Sequence, residues 1–257
     1  MISQGRISDS IGGFPFLKQW GIGPYKDPNK PAIFIGCYNP PEDFRLIMSH
    51  KALGVLIWGG TDADVISAEK LRKIKAKTNI KHIALGGFIA RDLSKAGIPY
   101  VRIPLTIASR VMEPYPLGDK VYCYTPPKTN RSPYRYYGGH ILEEVMRMMP
   151  RQKFILATPK LYSREKLFEL YKECFIGLRL TVHDGFPNTV AELGLRGRRC
   201  VFNDNVPTAL SWTDARSVVK IIENEKRLTP GPQKVAQDMY DYLDISYDFL
   251  EEDYWSI

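Results

Sequence analysis

Between Arg179 and Gly194 the chain reads Arg-Leu-Thr-Val-His-Asp-Gly-Phe-Pro-Asn-Thr-Val-Ala-Glu-Leu-Gly. An apolar, strand-like run (FIGLRLT, 175–181) ends there, Asp184-Gly185 turns the chain, and a helix is expected from Pro187. Proline suits a first helical turn, where its missing N–H is not needed. The backbone amides of 187–190 then stand at the positive end of a helix, a natural place for a phosphate. Glu192 falls about one turn further in. Its carboxylate could accept two hydroxyl hydrogen bonds, as from a ribose, behind that phosphate. Taken alone, the same segment also reads as a plain strand–turn–helix with polar caps. Arg179 is a charge inside an apolar strand, costly unless paired, and a phosphate or carboxylate is its expected partner.

A second chemically able group lies in the first half. Gly59-Gly60-Thr61-Asp62 follows the apolar run LGVLIW. Asp62 could bind a hydroxyl or act as a general base; equally, it could cap the helix that starts near Ala63. His50, His82, His140 and His183 form neither H-x-x-x-H nor H-E-x-x-H, and no metal site is apparent. There is no G-x-x-x-x-G-K-[ST] loop and no early G-x-G-x-x-G, which points away from nucleotide hydrolysis and dinucleotide redox chemistry.

The elements that must position these groups alternate regularly. Strand-like runs are expected at 32–38, 53–60, 81–87 and 98–105, with helices at 41–52, 63–78 and 88–97, the last stopped by Gly97. In the helix over 63–78, Val65, Leu71 and Ile74 form the inward face. Residues 1–31 read as loop and turn. A linker over 106–118 holds several turn-formers near its end. The order then repeats, with strands at 120–125, 153–158, 175–181 and 199–204 and helices at 136–150, 163–174, 187–197 and 213–226. Strands alternating with helices imply parallel sheets covered on both faces. Two lobes with a cleft between them fit this order. A single eight-strand βα barrel has the same count, but the proline-rich break near 114–118 and a long C-terminal helix argue against it.

The chain has 257 residues, 36 Lys and Arg against 28 Asp and Glu, and a net charge of +8. Its composition is that of a globular protein, not of a disordered chain, a collagen or a coiled coil. No apolar run approaches the ~18 residues of a membrane span, and the N-terminus lacks a signal-peptide pattern. Cys37, Cys123, Cys174 and Cys200 sit in apolar runs without a C-x-x-C pair, so buried reduced thiols in a cytoplasmic protein are expected. After Lys234 come seven acids and no Lys or Arg, which leaves residues 1–234 with an excess of fifteen positive charges. That favours an anionic partner. Lys70, Arg72, Lys73, Lys75 and Lys77 on the helix over 63–78 form the candidate polyanion patch, or else a solvated helix face. In the acidic tail, Tyr240, Leu243, Tyr247, Leu250 and Tyr254 recur at steps of three and four, as in a closing helix.

The spacing around Asp184 carries a resemblance. Asp184 and Glu192 are eight positions apart, in the order strand, loop, acid-Gly-Phe, helix, second acid. This resembles the GT-B glycosyltransferases, particularly the retaining group with a Glu-x7-Glu signature, with Asp in place of the first Glu. The flanks SREKLFELYKEC and GLRGRRCVFND resemble the family's segments on either side. HIALGGFIARDLSKAGIPYVRIPL resembles the strand–helix–strand that closes its first lobe. The resemblance covers most of 80–226 and covers 1–79 poorly. The implied fold is α/β. Two Rossmann-like lobes with parallel sheets would face a cleft: an acceptor-side lobe over 1–110 and a donor-binding lobe over 119–234, followed by an acidic closing helix over 235–257.

The implied activity is transfer of a sugar from a nucleotide-sugar, a UDP-sugar first, to an acceptor hydroxyl with retention of configuration. No tightly bound cofactor is implied. By position, Glu192 would hold the ribose. Asp184, with Gly185, Phe186, Asn188 and Thr189, would hold the sugar and diphosphate, and His183 would contact the sugar. In the loop TPPKTNRSPYRYYGG, which offers Lys128, Arg131 and Arg135, Arg135 is the choice for the diphosphate; the alternative is a solvated basic loop. Gly12-Gly13 would give the backbone close access to the donor, with Gly13 the contact, or would be a plain turn. The acceptor would be a glycan or DNA with hydroxymethylated bases. Two other functions compete: a non-enzymatic basic nucleic-acid-binding protein, and a GT-B-shaped nucleotide-sugar epimerase. The second needs a pair of acid/base groups that the sequence does not convincingly offer.

Overall fold

The computed structural model describes residues 2–4, 21–37, 42–60, 62–106, 108, 110–126, 128, 134–158, 161–228, 231–245 and 248–250. The chain divides into two compact units. The first comprises Met1–Ile107 with His183–Phe186 and Ile245–Ile257, the second Ala108–Val182 with Pro187–Asp244. Each is built on its own parallel sheet, so the single-barrel alternative does not apply.

In the first unit the strands are β1 (Ile2–Gln4), β2 (Gly23–Pro24), β3 (Ala32–Ile35), β4 (Gly54–Trp58), β5 (Ile80–Ala84) and β6 (Val101–Arg102), in the order β2-β1-β3-β4-β5-β6. Every pairing is parallel. β3 and β4 are buried at every position, as strands covered on both faces must be. The helices are α1 (Glu42–Ser49), α2 (Asp62–Val65), α3 (Ala68–Lys75) and α4 (Gly87–Ala96). The expected helix over 63–78 is two helices. Ser67 breaks it by taking extended backbone and accepting the Lys70 N–H as the N-cap of α3. Ile74 is its fully buried residue. α4 ends at Gly97, which adopts the left-handed conformation. The strand expected over 98–105 shrinks to Val101–Arg102, because Pro99 and Pro104 remove ladder donors at the sheet's edge. β1 and β2 lie where only loop was expected; at three and two residues they carry no readable periodicity.

In the second unit β7 (Lys120–Tyr124), β8 (Phe154–Ala157), β9 (Cys174–Leu178), β10 (Arg199–Val201) and β11 (Ala209–Leu210) form a parallel sheet in the order β11-β10-β9-β7-β8. The helices are α5 (Gly139–Met148), α6 (Arg164–Lys172), α7 (Asn188–Leu195), α8 (Ala215–Leu228) and α9 (Pro232–Tyr242). Val121 and Cys123 of β7 face α5 and α8 through Leu142, Val145, Val218 and Ile222. Tyr122 points the other way, edge-on to Tyr171 of α6. Helices therefore cover both faces, and the chain leaves β7 for β8 on one side and reaches β9 on the other. Of the expected closing helix over 235–257, the described residues are helical to Tyr242, with one further 3-10 turn at Asp248–Leu250. Asp241 and Asp244 put negative charge at that C-terminus, where it opposes the helix dipole.

Two buried polar groups test this packing. Arg198, fully buried, donates to the carbonyls of Tyr171 (3.0 Å), Cys174 (3.2 Å), Tyr115 (2.9 Å), Pro116 (2.6 Å) and Arg196. Burial lowers its pKa to about 10, so it stays charged at neutral pH. Arg198→Ala is expected to destabilise the protein by about 3–5 kcal/mol, because those carbonyls lose a charged donor in a dry interior; urea unfolding of the two proteins measures it. In the first unit Trp58 Nε1 donates to Nδ1 of His82 at 3.2 Å, a bond that requires Nδ1 unprotonated. Burial pushes the His82 pKa from 6.5 down to about 4. The unfolded chain then binds more protons than the folded one between those values. Stability is expected to be full above that interval and to fall as pH drops through it, by roughly 3 kcal/mol. Unfolding midpoints from pH 7 to pH 4 check this, and His82→Phe should flatten the profile.

Candidate functional site

The second unit gathers polar groups at the carboxyl ends of its strands. Arg179 follows β9, its N–H bonded to Val201 O at 2.9 Å. Its buried guanidinium lies over the rings of Tyr124 (3.8 Å), the last residue of β7, and Tyr137 (4.8 Å), in the turn before α5. Two aromatic faces thus cover the guanidinium and stabilise a desolvated cation. Gly138, at φ 70°, ends that turn, and a Cβ there would lie 2.2 Å from Leu180 O. No side chain fits, so the start of α5 and the exit of β9 come into contact. Thr125, Thr158 and Thr181 sit just past β7, β8 and β9 and are all buried. Among the described residues the Thr158 hydroxyl has no hydrogen-bond partner.

The helix expected from Pro187 is α7, with Pro187 as its N-cap in extended conformation. The donor set is smaller than the expected 187–190. Proline has no N–H, and the Val190 and Ala191 amides bond back to Pro187 O at 3.0 and 3.3 Å. The amides of Asn188 and Thr189 precede those bonds. α7 is buried nearly all round, and Glu192 is its one charge. Glu192 Oε1 accepts from Arg164 Nε (2.9 Å) and Nη2 (2.7 Å), and Oε2 accepts from the Tyr171 hydroxyl (3.0 Å). Burial and that carboxylate push the Tyr171 phenol well above its ordinary pKa.

Asp184, Gly185, Phe186 and His183 belong with the first unit. His183 Nε2 meets Asp92 Oδ2 of α4 at 2.6 Å, and its ring lies 5.5 Å from that of Phe88. Asp184 Oδ1 accepts the Gly185 N–H at 2.9 Å. A Cβ on Gly185 would lie 2.3 Å from Gly59 O, so this turn closes directly on the loop after β4. In that loop Asp62 is fully buried and accepts from the amides of Gly59 (3.2 Å) and Gly60 (3.0 Å). Burial holds its carboxyl above the usual range, against the lowering by those amides. The structure thus gives Asp62 the work of a loop cap; a base facing an acceptor would need an open carboxylate.

Lys128 is paired with Glu143 of α5 at 2.7 Å, and Arg135 is exposed in the turn before α5. Arg131, Gly12 and Gly13 lie outside the described residues. On α3, Lys70 rests over the Phe44 ring at 5.4 Å, Lys73 pairs with Glu69 at 2.7 Å, and Arg72 and Lys75 are exposed. Lys77 is bound to the carbonyls of Met48 and His50 and serves the fold. Among the described residues no group of three His, Cys, Asp or Glu could hold a metal ion.

Sequence reasoning missed Arg164, Tyr171 and Asp92, the partners of Glu192 and His183. One signal was available for Arg164: a cation in the first turn of a helix opposes the dipole and needs another reason to be there. Gly138→Ala is expected to destabilise the protein by about 2–4 kcal/mol, combining a left-handed backbone with a collision against Leu180 O. Urea unfolding checks it, and Gly231→Ala, where an added Cβ meets nothing within 4 Å, is the control.

No protein-family model matches the chain, and no curated protein matches it in sequence. Solved structures do match. A TarM variant from S. aureus, in complex with fondaparinux, alpha-GlcNAc-glycerol and UDP, aligns at a TM-score of 0.56 and 12% identity over 94% of this chain and 57% of its own. The pneumococcal O-GlcNAc transferase GtfA, in complex with UDP and GlcNAc, aligns at 0.53 and 12% over 94% of this chain and 58% of its own. Sucrose-phosphate synthase from Thermosynechococcus elongatus aligns at 0.56 and 9% over 91% of this chain and 72% of its own. The chain spans less than two thirds of the first two proteins. The fold is α/β with parallel sheets, that of the GT-B glycosyltransferases.

Proposed function

We propose that the protein is a nucleotide-sugar-dependent glycosyltransferase, with a UDP-sugar as donor and no tightly bound cofactor. The observation that carries this reading is the polar cluster of the second unit. In an open parallel sheet, ligands bind beyond the carboxyl ends of the strands where the chain turns to opposite sides, here between β7 and β9. At that place stand buried Arg179, the start of α5 and the head of α7. A diphosphate would take the positive end of α7 at Asn188 and Thr189. Glu192 would hold the ribose hydroxyls. Arg135 would reach the diphosphate, and Asp184 with the Gly185–Phe186 turn, together with His183, would hold the sugar.

In this reaction the acceptor oxygen attacks the anomeric carbon, the bond to the diphosphate breaks, and the acceptor proton leaves with the departing group or to solvent. The helix dipole and the arginines would stabilise the charge that grows on the leaving diphosphate. Retention of configuration fits a carboxylate at Asp62 that is buried and engaged, since a retaining transferase of this kind needs no dedicated base. The acceptor is proposed to be a glycan. DNA with hydroxymethylated bases is the second candidate, favoured by the exposed Arg72 and Lys75 of α3, with Lys70 and Lys73 beside them. The four cysteines are buried and free, which fits a reducing compartment, the cytoplasm. No helix among the described residues is long and apolar enough to cross a membrane.

The test is calorimetric binding of UDP, followed by UDP release from a panel of UDP-sugars with added acceptors. Glu192→Gln is expected to weaken UDP binding by roughly 1.5–3 kcal/mol, through loss of a charge-assisted contact, without unfolding the chain. A folded variant that binds UDP as tightly as the wild type would remove the assignment.

A further inference from the structure

A carboxylate offers about four lone-pair positions. At Glu192, Oε1 takes two N–H bonds from Arg164, at 2.9 and 2.7 Å, and Oε2 takes the Tyr171 hydroxyl at 3.0 Å. One position is left, on Oε2. A vicinal diol that donates both of its hydroxyls needs two. If Glu192 is to hold a ribose, one of its present partners must give way.

The two partners differ in their freedom to leave. Tyr171 is fully buried, its ring 4.8 Å from Tyr122 in an edge-on contact that fixes the hydroxyl. Arg164 is the first residue of α6, directly after the N-cap Ser163, and its side chain is 41% exposed. Nor does α6 itself account for an arginine there, since a cation at a helix N-terminus opposes the dipole, while Glu165 beside it suits that end. Of the two partners, Arg164 is thus the one at the helix end and at the surface.

We propose that Arg164 is a ligand-displaced counter-ion of Glu192. It keeps the buried carboxylate paired while the site is empty, and it gives up Oε1 when a vicinal diol arrives. The inference rests on the reading of Glu192 as a ribose contact and adds a residue that selects for the diol. The exchange replaces charge-assisted bonds from a guanidinium with charge-assisted bonds from hydroxyls, so the carboxylate is never left bare in a dry site. A ligand without the diol leaves the ion pair closed. A ligand with it must open the pair, and its affinity is lowered by that competition.

The experiment compares UDP with 2′,3′-dideoxy-UDP by calorimetry on the full chain, for the wild type, Arg164→Met, Arg164→Gln and Glu192→Gln. Melting curves establish that each protein is folded, and Arg164→Lys, which keeps a cation with fewer fixed donors, replaces any that is not. The expected result is that the preference for UDP over the dideoxy compound widens in the Arg164 variants by about tenfold, the worth of one competing hydrogen bond to a charged group. An unchanged preference overturns the proposal, because Arg164 then does not compete for Oε1. A narrowed preference overturns it too, because Arg164 then holds the diol itself. The underlying reading is judged separately: it fails, and the proposal with it, if the wild type shows no preference for UDP or if Glu192→Gln leaves that preference intact.

Discussion

Glu192 is a charge on a helix with almost no exposed face. An unpaired carboxylate there would cost more than the helix gains by its apolar contacts, so partners must come from the neighbouring element. α6 supplies both, Arg164 from its first residue and Tyr171 from its last turn. Tyr171 in turn meets Tyr122 of β7, which ties the carboxylate to the centre of the sheet. The relative setting of α6, α7 and β7 follows from satisfying this one group. Substitution of any member leaves the others with a buried polar atom to accommodate.

The same rule explains where polar groups collect. A parallel sheet covered by helices on both faces has an apolar middle, and its strands read as continuous buried runs. Polar side chains gather where strands end and helices begin. In the second unit Thr125, Thr158, Thr181 and Arg179 all occupy that position, and the left-handed Gly138 brings α5 against the exit of β9. Arg198 answers the same need at the joins between α6 and β9 and along the 115–116 segment, where it gives buried carbonyls a charged donor.

Asp62 and Glu192 show how one residue type takes different work from its surroundings. Both are buried carboxylates that the sequence marks as chemically able. Asp62 spends its oxygens on the amides of its own loop, an arrangement internal to one turn of chain. Glu192 is held by side chains from another helix, one of them half exposed. Groups satisfied by the local backbone have little left for a ligand. Groups satisfied by a half-exposed side chain can exchange it.

Periodicity and punctuation in the sequence determined the alternation of strands and helices, the end of α4 at Gly97 and the strand–turn–helix around Asp184-Gly185, because these depend on local backbone preference and on burial of one face. The parallel, doubly covered sheets followed from that alternation. Local reading erred where a cap or a neighbour overrode the period: Ser67 divides α2 from α3, prolines cut β6 short, and Asp241 and Asp244 end α9. Only the tertiary structure decided which charges meet. Arg164 and Glu192 are far apart in sequence, as are His183 and Asp92, and Arg179 with its two tyrosines. Nothing in the spacing of such residues records a pairing, since it arises from packing separate elements around buried groups that must each find a partner.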